Sequence, residues 1–227
     1  SSLRDLFELP APHADPFRRM IDHPAVMQRL NWMLGGGFTL GHVRAMCYDP
    51  GSCGLFMHGG SEPANSRNHY ALQNGRSFCE SVNVAWQLVD AGPGDGGFVC
   101  IPGSHKANFP MHADHMSLEP GERSEFLTSY ECPAGSAIFF TENLCHAGPH
   151  WQRDTPRVAV LNAYAHLATH WHRATIAPEV MAGLPVEKRA WFREPWIADF
   201  RTSPATHNTM ERFIEKEEPT VRLDHQP

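Results

Sequence analysis

Three side chains in this 227-residue chain have the types and settings from which a metal site could be built: His58, His146 and Arg157. His58 closes the apolar run Leu55-Phe56-Met57 and is followed by Gly59-Gly60. His146 follows the strand-like run Gly135-Ser136-Ala137-Ile138-Phe139-Phe140 through a short turn and precedes Ala147-Gly148. An imidazole delivered at a strand end stands at a sheet edge or barrel mouth, where a transition metal can use it. Arg157 comes eleven residues after His146 and opens another strand-like run. A guanidinium matches a carboxylate in bidentate geometry, so an arginine there suits a dicarboxylate lying beside the metal. For either histidine alone a core or capping role is the simpler explanation. Together, with Arg157 at its spacing, they point to metal ligation.

The elements that must position these residues are mostly short strands. From about 38 to 167 the chain alternates apolar runs with Gly, Pro and Asn turns: 42–48, 55–58, 81–89, 98–101, 129–132, 137–140 and 157–165. Seven or so strands at this spacing predict a mainly β fold, a jelly roll (cupin-like double-stranded β-helix). Residues 1–37 read as a helical flank, with Val26, Leu30, Met33 and Leu34 on one face and Gly35-Gly36-Gly37 ending it. Residues 168–227 form a C-terminal flank with a short amphipathic helix over 185–192 and a polar extension from about 203. The whole is read as one domain, 1–227, a size that β barrels and sandwiches often reach undivided. Gly94-Asp95-Gly96-Gly97 precedes a β-run and lacks the Lys-Ser/Thr and helix of a phosphate loop, so it reads as a tight hairpin turn.

A second block adds specificity. Val84-Ala85-Trp86-Gln87 runs through the glycine turn to Ile101-Pro102-Gly103-Ser104-His105-Lys106, and His146 and Arg157 follow. In this order the residues resemble the phytanoyl-CoA dioxygenase family of Fe(II)/2-oxoglutarate oxygenases, over roughly 40–167. The resemblance implies a double-stranded β-helix that uses Fe(II), 2-oxoglutarate and O2, usually to hydroxylate an unactivated C–H bond of a small organic molecule or acyl conjugate. It implies His58 and His146 as iron ligands and Arg157 as the anchor of the far carboxylate of 2-oxoglutarate. It also sets Trp86 beside the co-substrate and His105 near the metal end. Away from the resemblance, an aromatic on a long apolar strand such as Trp86 is simply core.

One departure stands out. Two histidines and one carboxylate make the usual facial set for Fe(II). The family pattern has His-x-Asp or His-x-Glu at the first ligand, but here the third residue of His58-Gly59-Gly60 is glycine. The third ligand is expected at Glu62, reaching round from the loop, since two glycines permit a sharp turn. Alternatively the position is vacant and takes halide or water, as in halogenases of similar fold. A carboxylate from elsewhere, Asp49, Glu80 or Asp90, is a third arrangement, and loss of the metal site a fourth. Asp95 belongs to a turn expected at the other barrel end.

Bulk properties exclude several classes. A net charge of −6 argues against a nucleic-acid or anionic-membrane partner, which would require clustered Lys and Arg. No apolar run spans a bilayer and no signal-peptide pattern opens the chain. The six cysteines lack C-x-x-C spacing and fit buried small hydrophobes in a reducing cytosol. Of the fifteen histidines, His166, His170 and His172 alternate near a strand end, a weaker candidate for a second metal site. The rival classes are a non-catalytic small-molecule-binding jelly roll and a zinc hydrolase; the latter has no use for Arg157.

Overall fold

In the computed structural model, described over residues 2–3, 5–52, 54–60, 69–107, 109–119, 121–170 and 176–193, a sheet sandwich is packed on one outer face by helices. The strands are β1 (Ser2–Leu3), β2 (Phe38–Tyr48), β3 (Tyr70–Gln73), β4 (Arg76–Cys79), β5 (Ser81–Gln87), β6 (Val99–Cys100), β7 (Thr128–Ser129), β8 (Ala137–Thr141), β9 (His146–Ala147) and β10 (Arg157–His166). The helices are α1 (Asp15–Met20), α2 (Pro24–Leu34), α3 (Pro178–Gly183) and α4 (Val186–Arg189). Ser1–Phe192 form one unit that carries all of them.

The major sheet has five antiparallel strands in the order β1-β2-β10-β5-β8, and a minor sheet has the order β7-β6-β9. This is the mainly β jelly roll expected from strand spacing. The run at 55–58 contributes only a single bridge, His58 to His146, because Gly59 and Gly60 take positive φ of 87° and 78° and turn the chain away. The hairpin β3–β4 closes on Asn74-Gly75, both at positive φ, as a tight two-residue turn requires. The glycine turn after β5 leads between the sheets rather than closing a hairpin, since β5 and β6 belong to different sheets.

Strand parity decides what each side chain does. In β5 the residues Val82, Val84 and Trp86 pack toward the helices, whereas Asn83 and Ala85 face the space between the sheets. The helix-side core joins Val26, Leu30 and Leu34 of α2 to Leu40, Val82 and Tyr164. The predicted N-terminal helix is split in two, because Pro24 cannot continue a preceding helix but starts α2 well. The inner core is smaller, with Met46, Ala85, Phe140, Ala159 and Leu161. In β2 the register slips at Gly41, which has no partner between Leu40 (opposite Tyr164) and His42 (opposite Ala163). That bulge lets Leu40 face the helices while His42 and Arg44 face inward. The predicted helix over 185–192 comprises α4 and a 3-10 turn at Ala190–Phe192.

Candidate metal centre

Backbone pairing brings the two histidines together. His58 N–H donates to the His146 carbonyl at 3.1 Å, and His146 N–H donates back to His58 at 2.9 Å. Residues directly opposite in such a pair present side chains on one face, and the ring centroids lie 4.2 Å apart. Each ring's Nδ1 lies 2.7 Å from a carbonyl two residues earlier, Phe56 for His58 and Leu144 for His146. A carbonyl can only accept, so Nδ1 carries the hydrogen and the Nε2 lone pair of each ring is left for a ligand. Glu142, at the turn after β8, completes the group: its carboxylate and the two imidazoles have ligand atoms within 4.8 Å of one another. Two imidazoles and a carboxylate suit a divalent transition metal and leave coordination positions open.

A side chain at the usual carboxylate position would be strained here. Gly60 has φ +78°, and a Cβ on it would stand 2.8 Å from Cys145 Sγ. Its N–H donates to the Asn143 carbonyl at 2.9 Å, fixing the loop at that spacing. Gly59 is equally constrained, since a Cβ there would meet the Leu144 carbonyl oxygen at 2.2 Å. The close approach of 58–60 to 142–146 therefore requires the two glycines, and it brings Glu142 to the histidines. Glu62 lies outside the described residues. Asp49, Glu80 and Asp90 do not line the cavity, and Asp95 forms an ion pair with Arg153 at 3.0 Å in the distant turn.

His58, Glu142 and His146 line one wall of a cavity between the sheets, and Arg44, Asn83 and Arg157 line it as well. Burial first, and the neighbouring His58 second, push the pKa of His146 down to about 4, so its ring is neutral at physiological pH. Leu144's carbonyl and Glu142 oppose that shift, and the charge of Arg44 adds a little to it. Phe140 and Phe98 flank the His146 ring at 4.5 and 5.8 Å between centroids, an apolar wall against it. Asn83, only 2% exposed, donates its amide to Glu142 Oε1. Arg157 is 5% exposed, lies over the Tyr48 ring at 5.8 Å and has no hydrogen-bond partner for its Nε. A buried guanidinium facing a cavity in that state fits an incoming carboxylate.

The Pro-Gly-Ser-His-Lys block holds this loop in place. Ser104 Oγ accepts from the Cys145 N–H at 2.8 Å, and Asn143 donates its side-chain amide to the His105 carbonyl at 2.6 Å. The His105 ring itself packs edge-on against Tyr70 at 4.8 Å and does not line the cavity. Trp86 lies on the opposite face of β5, edge-on to His23 at 5.5 Å, so strand parity carries it away from the cavity. His166 stacks on Phe78, and the His170 ring lies against Gly41, where a Cβ would meet its Nε2 at 2.0 Å. His172 lies outside the described residues, and among the described residues only one cluster of potential metal ligands forms. Glu142, Asn83 and Arg44 escaped the sequence reading. The signals were a carboxylate four residues before a candidate ligand, and polar residues at inward positions of apolar strands.

The sequence matches the family described as Phytanoyl-CoA dioxygenase (PhyH) over residues 42–159. No curated protein matches significantly. Among solved structures the fold is similar to that of HygX from Streptomyces hygroscopicus with nickel, 2-oxoglutarate and hygromycin B bound. That similarity has a TM-score of 0.65 at 19% identity, over 75% of this chain and 72% of the other. It is also similar to the non-heme alpha ketoglutarate dependent epimerase SnoN from nogalamycin biosynthesis, with a TM-score of 0.52, 17% identity, and 73% and 60% of the two chains covered. The non-heme monooxygenase ThoJ gives 0.53 at 16% identity over 73% and 59%. No described helix is long and apolar enough to cross a membrane.

Proposed function

The chain belongs to the phytanoyl-CoA dioxygenase family of Fe(II)/2-oxoglutarate-dependent oxygenases, and from that premise we propose that it oxidises an unactivated C–H bond of a small organic molecule, with hydroxylation as the outcome. In this reading His58, Glu142 and His146 hold Fe(II), and Arg157 holds the distal carboxylate of 2-oxoglutarate. The observation that carries it is the convergence of two imidazoles and one carboxylate within 4.8 Å, on a cavity that Arg157 also lines. Iron with 2-oxoglutarate and O2 supplies the oxidising power, coupled to decarboxylation of the co-substrate to succinate.

The chain's own residues bind, orient and keep the site dry. The carbonyls of Phe56 and Leu144 fix the tautomers, so both imidazoles offer Nε2 to the metal. Asn83 fixes the Glu142 carboxylate by one oxygen. Phe98, Phe140 and Leu161 exclude water from the cavity wall. A carboxylate in place at Glu142 favours the oxygenase reading over a halide-binding vacancy at Gly60. That HygX holds hygromycin B and that SnoN serves nogalamycin biosynthesis supports a small-molecule substrate.

The test is succinate formation from 2-oxoglutarate by protein supplied with Fe(II), ascorbate and O2. Turnover that needs Fe(II) and O2, that ascorbate sustains by keeping the iron reduced, and that Arg157→Ala suppresses, is expected. Protein that binds Fe(II) yet forms no succinate, alone or with any candidate substrate, would leave a binding module as the better account.

A further inference from the structure

Arg157 is not the only guanidinium in the cavity. Arg44 lines it too, on β2 directly opposite Leu161 of β10, while Arg157 lies opposite Tyr48. Four residues of β10 separate the two levels, roughly 13 Å along the strand at 3.3 Å per residue. Both side chains point inward, Arg157 from one end of the cavity and Arg44 from the level beside the histidines. The Arg44 Nε is sealed from solvent without a hydrogen-bond partner, as is that of Arg157. Among the described residues no carboxylate forms an ion pair with either. Burying a cation such as Arg157 is costly unless an anion meets it, and with the part-buried Arg44 facing the same cavity the pair suits a ligand with two anionic ends.

The position of Arg44 decides which end it meets. A second, smaller cavity opens on the far side of Glu142 and Asn83, lined by Gly41, His42, Ser81, Ala163, Ala165 and His170. It has no lysine or arginine in its lining, so a substrate group entering there meets no cation. Both guanidiniums belong instead to the cavity that the metal ligands share. We propose that Arg44 is a second carboxylate anchor for 2-oxoglutarate, taking the carboxylate at its 2-oxo end beside the metal while Arg157 takes the distal one. This rests on the reading of that cavity as the co-substrate site. It has a further consequence: a fixed positive charge beside the histidines opposes a bare divalent ion and favours one that arrives with a dianion. Metal and 2-oxoglutarate should therefore bind synergistically.

The experiment measures binding, not turnover, by calorimetry on wild type, Arg44→Gln and Arg157→Gln loaded with Ni(II). Two probes separate the ends of the ligand: 2-oxoglutarate, and pyruvate, which keeps the 2-oxo acid but has no distal carboxylate. Arg157→Gln should lose tenfold or more for 2-oxoglutarate, about one decade or 1.4 kcal/mol, and leave pyruvate unchanged. Arg44→Gln should lose a similar factor for both probes, yet bind Ni(II) alone at least as tightly as wild type. A merely misfolded site would weaken the metal as well. If Arg44→Gln folds poorly, Arg44→Lys keeps the charge without the fork and should lose part of the affinity for both probes. Wild-type affinity for both probes in the Arg44 variants, or loss confined to 2-oxoglutarate, overturns the assignment while leaving the co-substrate site standing. Wild type that binds no 2-oxoglutarate overturns the site itself and the assignment with it.

Discussion

Glu142 is held from two sides, by the amide of Asn83 and by the glycine-dependent loop contact with residues 58–60. If Asn83 aims the carboxylate at the metal, Asn83→Ala should lower metal affinity by about 10- to 100-fold, the usual effect of losing a partner behind a ligand. A metal titration at constant pH checks this, and thermal unfolding of the metal-free variant separates it from general damage. Gly60→Asp puts a carboxylate at the usual family position, yet it should not strengthen metal binding. A side chain at φ +78° facing Cys145 Sγ at 2.8 Å is strained, and about 1–3 kcal/mol of stability should be lost. Tighter metal binding in Gly60→Asp would mean that the loop has room the structure denies it. At Arg157, substitution by alanine should weaken 2-oxoglutarate by about 2–4 kcal/mol and leave the fold nearly intact. Arg153 does not compete for that role, being exposed and paired with Asp95.

At the scale of elements, the 142–146 loop is the part on which the site depends. Ser104→Ala leaves the buried Cys145 N–H without its acceptor, which should cost about 1–3 kcal/mol. Because that N–H adjoins His146, metal affinity should fall in the same variant; an unchanged titration would make the Ser104 contact structural only. The loop also carries a pH signature. In the metal-free protein the folded-state pKa of His146, about 4, lies below its unfolded value of 6.5. The folded state therefore favours the neutral ring. Its contribution to stability is complete above 6.5, is lost as pH falls from 6.5 toward about 4, and does not change further below that. His146→Gln should flatten the denaturation midpoint across that interval.

How far these elements could be read in advance follows from the same geometry. The strands, the buried face of α2 and the trio His58, His146 and Arg157 are local patterns, visible as apolar runs ending in a polar side chain. Glu142 stood four residues before His146, but its relevance depends on His58, far off in the sequence, pairing with His146. The placement of Trp86 was legible in the parity of β5, where Ser81, Asn83, Ala85 and Gln87 alternate with Val82, Val84 and Trp86, but the family resemblance pointed the other way. The hairpin at Asn74-Gly75 did carry its local turn signal.

Taken as a whole molecule, the sandwich divides its work by face. The helix side of the major sheet buries Val82, Val84, Leu40 and Tyr164, while the inner face turns Arg44, Asn83 and Arg157 to the cavity of the metal site. That division lets inner residues change with little effect on the fold, so the variants above should keep their secondary structure. The central claim is that His58, Glu142 and His146 form the iron site, and equilibrium Fe(II) binding under anaerobic conditions tests it most directly. Wild type and Glu62→Ala should each bind one equivalent with similar affinity, whereas Glu142→Ala should bind far more weakly. Tight binding by Glu142→Ala, together with loss in Glu62→Ala, would contradict the claim and make Glu62 the ligating carboxylate.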